Sequence, residues 1–311
     1  MVKVHYRRGL YIVLERAVLL ADPLSPPQEK INAILVSHAH SDHCNIKALL
    51  SVPNVPKLMS RATRDLIDPR RKLKNVILLE PGDTVELGNV TIEAHEAGHV
   101  LGSLQFTIHS RQSVVYTGDV NLERRVILPP GDLLKADVLI IEATYGRPEY
   151  TFPPREVLYR ELLHVVKERL SEGKPLALGA RKLGVAQEVT ALLAHSGIAV
   201  PLVHPSIDRY NRLYEEYGVI LGPYAVAEYV VEKPVPYVAP LRSGKTFPCT
   251  GWAAKYSKGL PLSSHAGFDK LVRYALESGA ESIYTVYGFA KCLAKFLREE
   301  GLNAEPVPVK S

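Results

Sequence analysis

Cysteine is scarce in this 311-residue sequence: Cys44, Cys249 and Cys292 are far apart and in no paired spacing. That excludes a disulfide framework and a thiolate-type zinc site, so any metal must be held by imidazole and carboxylate. Long apolar runs are missing too. None reaches the roughly 18 residues of a membrane span, and the start Met1-Val2-Lys3-Val4-His5 lacks the charged-then-apolar layout of a signal peptide. A cytoplasmic protein is the expectation. A strong excess of one charge is also absent, since the net +5 is spread along the chain and does not by itself indicate a nucleic-acid partner. One local group, Arg61, Arg64, Arg70, Arg71, Lys72 and Lys74, shares its stretch with Asp65 and Asp68 and reads as a solvated helix face and loop. There is no repeat of 20 to 50 residues and no low-complexity tract. What is present is apolar residue, 46%, in a chain long enough to bury a full core.

Short apolar runs bounded by turn residues fill the first 145 positions: 33–36, 76–79, 90–94, 104–108, 114–116 and 138–141. These predict strands. Beyond 150 the spacing becomes helical over 155–170, 185–195 and 206–217, with Gly197 and Gly218 just past two of the ends. Runs at 176–179 and 199–203 lie between the helices, an order that predicts a parallel α/β unit. After a Pro-rich stretch, 234–248, strand and helix alternate again and finish with a helix over 290–300.

Four metal-ligating side chains fall within six residues in His38-Ala39-His40-Ser41-Asp42-His43, directly after the apolar run 33–36. Helix packing would not produce such a cluster, and loops following strands are where α/β proteins carry chemistry. A turn of this length can aim His38 and His40 one way and Asp42 and His43 the other, giving two adjacent cations part of a first shell. Further ligands are expected from later loops. His99, in Gly98-His99-Val100-Leu101-Gly102-Ser103, is preferred to His95, which closes a strand with no glycine beside it. Asp119, after Tyr116-Thr117-Gly118, is the natural bridging carboxylate. Asp22 either orients a ligating imidazole or is a plain turn residue before Pro23.

This arrangement resembles the metallo-β-lactamase superfamily, and the rest of the chain is similar to the β-CASP branch of nucleic-acid nucleases. Glu142-Ala143-Thr144-Tyr145-Gly146 looks like that branch's motif A. Ser263-Ser264-His265-Ala266, with Phe268, looks like its motif B. Within the branch the chain is most similar to ligase-associated DNA exonucleases and archaeal RNA-processing exonuclease-like proteins. The resemblance implies an αββα metallo-β-lactamase sandwich, residues 1–150 and 251–311, with an inserted parallel α/β β-CASP domain at 151–250. It implies a first Zn2+ on His38, His40, His99 and Asp119, and a second on Asp42, His43 and Asp119. It also implies a non-ligand pair, Glu142 and His265, in which the imidazole protonates the leaving oxygen. The activity implied is phosphodiester hydrolysis in nucleic acid by an exonuclease of DNA repair or RNA processing. At the branch's motif C, RNA-acting members carry a zinc-ligating His. Here the segment is Thr285-Val286-Tyr287-Gly288-Phe289, and a phenol is a poor zinc ligand at neutral pH, so the second zinc is expected to be weak and DNA is favoured over RNA.

Weaker signals remain open. Arg181 and Lys182 either meet phosphate at a helix start or sit in an exposed loop. Ser243-Gly244-Lys245-Thr246 lacks the upstream glycine of a P-loop and reads as a turn. Trp252 either stacks a base or is an ordinary buried aromatic. Two other functions compete: a small-molecule metallo-hydrolase of lactonase or thioesterase type, which has no need of a large insert or of Glu142 and His265, and a non-catalytic binding subunit, which is expected to have lost ligands.

Overall fold

The computed structural model describes residues 2–229, 234–242, 245–256 and 258–310. These fall into two compact units, one of residues 1–122, 130–147 and 268–311, the other of 123–129 and 148–267. The sequence predicts an insert at 151–250; the second compact unit runs on to Gly267 and also takes in Glu123–Pro129.

In the first unit, β1 (Lys3–Tyr6), β2 (Leu10–Val13), β3 (Val18–Ala21), β4 (Ala33–Leu35), β5 (Lys57–Met59) and β6 (Val76–Leu78) form one sheet in chain order, antiparallel to β3 and parallel beyond it. Two short helices, α1 (Ile46–Leu50) and α2 (Arg61–Ile67), connect its parallel strands, capped by Asn45 and Ser60. The second sheet begins with the antiparallel β7 (Thr84–Leu87), β8 (Val90–Glu96), β9 (Leu104–His109) and β10 (Ser113–Tyr116), and β11 (Val138–Glu142) joins β10 in parallel.

The second unit holds α3 (Arg155–Ser171), β12 (Leu176–Ala180), α4 (Val185–Ser196), β13 (Leu202–Val203), α5 (Pro205–Glu216), β14 (Ala225–Val226), β15 (Pro236–Pro240) and β16 (Phe247–Cys249). Its strands pair in parallel in the order β14-β13-β15-β12-β16, the α/β alternation expected from the sequence. Only Leu202 and Val203 of the expected strand 199–203 pair, because Pro201 lacks an N–H and gives the neighbouring strand only its carbonyl. Ser243 and Gly244, half of the segment read as a turn, lie outside the described residues. The chain then completes the second sheet of the first unit with α6 (Phe268–Glu277), β17 (Ser282–Val286), α7 (Ala290–Glu299) and β18 (Ala304–Pro306), in the order β18-β17-β11-β10-β9-β8-β7.

Alternation along the strands explains the sandwich. Leu10, Leu19, Leu35 and Leu58 of the first sheet share one core with Ile92, Phe106, Val114 and Ile140 of the second. The other face of the first sheet buries Tyr11, Leu20, Ile34 and Met59 with Leu49 of α1. At roughly 25 cal/mol per Å² of apolar surface, each such leucine contributes about 2 kcal/mol. Lys57 is the exception inside β5: its buried ammonium donates to the carbonyls of Val52, Val55 and Lys74 at 2.7, 2.7 and 3.2 Å. Among the described residues no helix is long and apolar enough to cross a membrane.

Candidate metal centre

The loops that carry candidate ligands leave the carboxyl ends of strands, the end where open α/β sheets bind ligands. His38, His40, Asp42 and His43 follow β4, Asp119 follows β10 and His99 lies between β8 and β9. The His38 loop is closed on itself, with the N–H groups of His43 and Cys44 both donating to His40 O. Leu104 N–H of the second sheet donates to Ser37 O at 2.8 Å, tying the two sheets together at this end. Gly118, at φ +53, lies so close that a Cβ would sit 2.5 Å from that of Ser37, so no other residue lets Asp119 turn in here.

Donor atoms of His38, His40, His99 and Asp119, all buried, lie within 4.8 Å of one another. A tetrahedral ion with bonds of about 2.0–2.1 Å sets its donors about 3.3 Å apart. The separations are 3.1 Å between His40 Nδ1 and His99 Nε2, 3.5 Å from His38 Nε2 to Asp119 Oδ2 and 3.6 Å from His99 Nε2 to the same oxygen. The other oxygen, Oδ1, stands 3.3 Å from His43 Nε2, so Asp119 faces His43 with one oxygen and the first group with the other. Three imidazoles and a carboxylate at these distances fit a divalent cation.

Behind His43 stands Asp22, whose Oδ2 lies 2.8 Å from His43 Nδ1 and accepts from Ser37 Oγ at 2.5 Å and Tyr116 OH at 2.7 Å. Ser37 N–H donates to its Oδ1 at 2.7 Å. A carboxylate so surrounded orients an imidazole and is no open ligand, although Asp22, His38 and His43 also form a close group. Burial lowers the pKa of His43, but the charges of Asp119, Asp22 and Asp42 and the bond to Asp22 outweigh it and raise the value to about 9. These surroundings call for positive charge. Asp42 itself is exposed, joins none of the close groups among the described residues, and contributes to His43 through that charge.

Glu142, fully buried at the end of β11, accepts from Val120 N–H at 2.9 Å and Thr144 N–H at 3.3 Å, fixing the backbone next to Asp119. His95 stays on β8 with its ring 2.9 Å from Thr107 Oγ1, apart from the cluster that takes His99. Tyr287 follows β17 in a left-handed conformation, φ +64, unusual for a bulky residue. Its hydroxyl lies 3.0 Å from Tyr116 OH and its ring centroid 4.7 Å from that of His43. Burial, then the charge of Asp22, push that hydroxyl well above its ordinary pKa, so it stays a neutral phenol.

In the second unit, His265 N–H donates to Ser263 Oγ at 3.0 Å in the loop that reads as motif B. The Ser263 carbonyl accepts from Arg155 Nη2 at 2.8 Å. Arg155 belongs to a buried network that sequence reasoning missed: Glu188 faces Arg155 at 3.4 Å and Arg125 at 3.2 Å and accepts from Tyr159 OH at 2.5 Å, while Glu123 lies 3.6 Å from Arg155. Arg181 and Lys182 sit in the loop before α4 with their carbonyls used by Ala186 and Gln187. Trp252, expected in one reading to be buried, is 41% exposed and meets Tyr150 edge to face at 5.3 Å. Of the basic stretch, Arg71 pairs with Asp65 and Asp68 caps the Lys72 and Leu73 N–H groups, as a solvated loop would.

Comparison with known proteins places this geometry in a family. Residues 13–170, half of the chain, match the model described as the beta-lactamase superfamily domain. A protein named probable DNA ligase from Opitutus terrae is 31% identical over 293 residues, covering 86% of this chain and 28% of that protein. The transcription termination factor FttA of Methanocaldococcus jannaschii is 30% identical over 201 residues, 53% of this chain and 31% of its own. An RNase J-like protein of the same organism is 28% identical over 182 residues, 52% and 43% of the two chains. The matched region thus spans less than half the length of each of these relatives. The family match, the sandwich of two sheets with its α/β insert and the cluster of divalent-metal donors agree: the chain belongs to the metallo-β-lactamase superfamily, with a β-CASP insert.

Proposed function

We propose that the chain is a zinc-dependent nuclease that hydrolyses phosphodiester bonds in nucleic acid, acting as an exonuclease. The observation that carries this reading is the donor group His38, His40, His99 and Asp119, with spacings close to those around one tetrahedral ion. Asp42, His43 and Asp119 form the second site of the proposal. Zinc bound there supplies Lewis-acid polarisation of a phosphoryl oxygen and a water made acidic near neutral pH. The protein's own part is positional and acid–base. Asp119 offers one oxygen to each site, Asp22 fixes the His43 ring so that Nε2 faces inward, and Glu142 holds the Val120 backbone beside Asp119. His265, paired with Glu142 on the strength of their motifs, donates the proton that the leaving oxygen needs.

DNA is favoured as the substrate. Tyr287 stands where RNA-acting members carry a ligating His, and the relative whose name refers to DNA aligns with 86% of this chain, against about half for those named for RNA cleavage or transcription termination. An aromatic as exposed as Trp252 suits base stacking. Elemental analysis of the purified protein, then incubation with end-labelled single- and double-stranded DNA and RNA, tests the proposal. Zinc in the protein and shortened labelled strands are expected, with His40→Ala and Asp119→Ala both inactive. Full activity in protein stripped of metal ends it.

A further inference from the structure

Beside the metal centre, within the first unit, lies a cavity of about 530 Å³ whose walls include Tyr6, Arg147, Tyr287, Phe289, Lys291 and Val307. Its volume is in the range of small-molecule sites. We propose that it is a nucleotide subsite, taking one base of the nucleic-acid strand with its phosphate at the mouth. This proposal rests on the nuclease reading and adds to it a place for a specific part of the substrate.

Three observations point to that ligand. The first is shape and polarity: one wall is the Arg147 guanidinium lying 4.2 Å over the centre of the Phe289 ring, held there by Arg147 Nε donating to Cys292 Sγ at 3.4 Å. Such a stack is flat, apolar on its faces and cationic, which suits a heteroaromatic base. The second is charge. Arg147 and the exposed Lys291 are both in the lining, and no Asp or Glu lines the cavity among the described residues. A lipid tail would set the exposed Lys291 ammonium against hydrocarbon, while inorganic phosphate would leave the aromatic walls uncovered. An anion with an aromatic body meets both. The third is position: Tyr287 is at once a wall of the cavity and the ring packed 4.7 Å from His43. A base held there is one side chain from the candidate metal ligands.

The test uses the full chain stripped of metal, so that phosphate cannot bind through zinc, titrated with dAMP and separately with 2-deoxyribose 5-phosphate. The expected result is that dAMP binds at least about tenfold more tightly, the contribution of stacking one base. Phe289→Leu should lose that margin and Phe289→Tyr, which keeps the ring, should retain it, so that loss through misfolding is recognised. Lys291→Ala should weaken both ligands. Equal binding of the two ligands, an unchanged dAMP affinity in Phe289→Leu, or preference for an acidic peptide over dAMP would overturn the subsite. Hydrolysis of bis(p-nitrophenyl) phosphate by the zinc-loaded wild type, a diester with no base to place, tests the phosphodiesterase reading separately.

Discussion

Asp22 grips the imidazole of His43 from behind, Oδ2 to Nδ1 at 2.8 Å, in a left-handed backbone conformation with φ +48. Asn and Asp are the side chains that best tolerate that region, so Asp22→Asn keeps the turn while it removes the charge and replaces one accepting oxygen with a donating amide. We expect the variant to lose about 10–100-fold in affinity at the His43 side, the usual effect of removing a partner behind a ligating His. Metal titration by calorimetry checks this, and two unchanged binding steps would show that Asp22 does not tune the centre.

Arg155 holds the Ser263 carbonyl and faces Glu188 in a site that water does not reach. Removing one partner of a buried ion network typically costs about 3–5 kcal/mol because the remaining charge stays desolvated. Arg155→Leu should therefore lower the urea midpoint of the insert's unfolding strongly. Arg155→Lys, which restores charge but not the planar fork, should recover only part of it. A change below about 1 kcal/mol in both would remove the network's claim to hold the His265 loop.

On the proposed mechanism, His265→Ala should keep bound metal and still bind nucleic acid, yet cleave about 10²–10⁴-fold more slowly, as expected for loss of a general acid. The deficit should shrink on a substrate with a better leaving group. Loss of metal from the variant would make His265 a ligand instead.

Tyr287→His should tighten the second metal, because the ring at this position already packs against that of His43 and His is among the residues enriched at positive φ. Tyr287→Phe removes only the hydroxyl that meets Tyr116 and should leave that affinity close to its starting value. Parallel titrations of the three proteins would show it, with an unchanged Tyr287→His curve as the contrary outcome.

What was legible in the sequence was local chemistry. His38, His40 and His43 could be read because they crowd into one loop, and His99 over His95 because glycines flank it. The strands at 33–36 and 138–141 were readable as strands from their short apolar runs; that they pair in parallel came from the structure and accounts for their being apolar throughout. β5 was not, since a lysine occupies it and its ammonium is satisfied by three carbonyls contributed from outside the strand. Nor was the second role of Glu142, whose partner is a backbone N–H 22 residues away and leaves no mark in side-chain identity. The Arg155 network draws on charged residues near 123, 155 and 188, each of which alone looks like an ordinary surface position, and on the Ser263 carbonyl, which leaves no mark in side-chain identity. Tyr116 ends an apolar strand and so reads as a packing residue, yet it is a donor to Asp22, a role only its hydroxyl reveals.

The short stretch Glu123–Pro129 belongs with the insert, so the backbone passes from one compact unit to the other four times. The insert is therefore not a portable cassette. A chimera that exchanged only 148–267 with a relative would pair the incoming Glu188 equivalent with a loop evolved for another partner, and a fragment of 148–267 expressed alone would lack Arg125 and keep a buried anion short of a cation. Any graft or split version of this chain must carry residues 123–129 with the insert, which an exchange of 148–267 alone does not do.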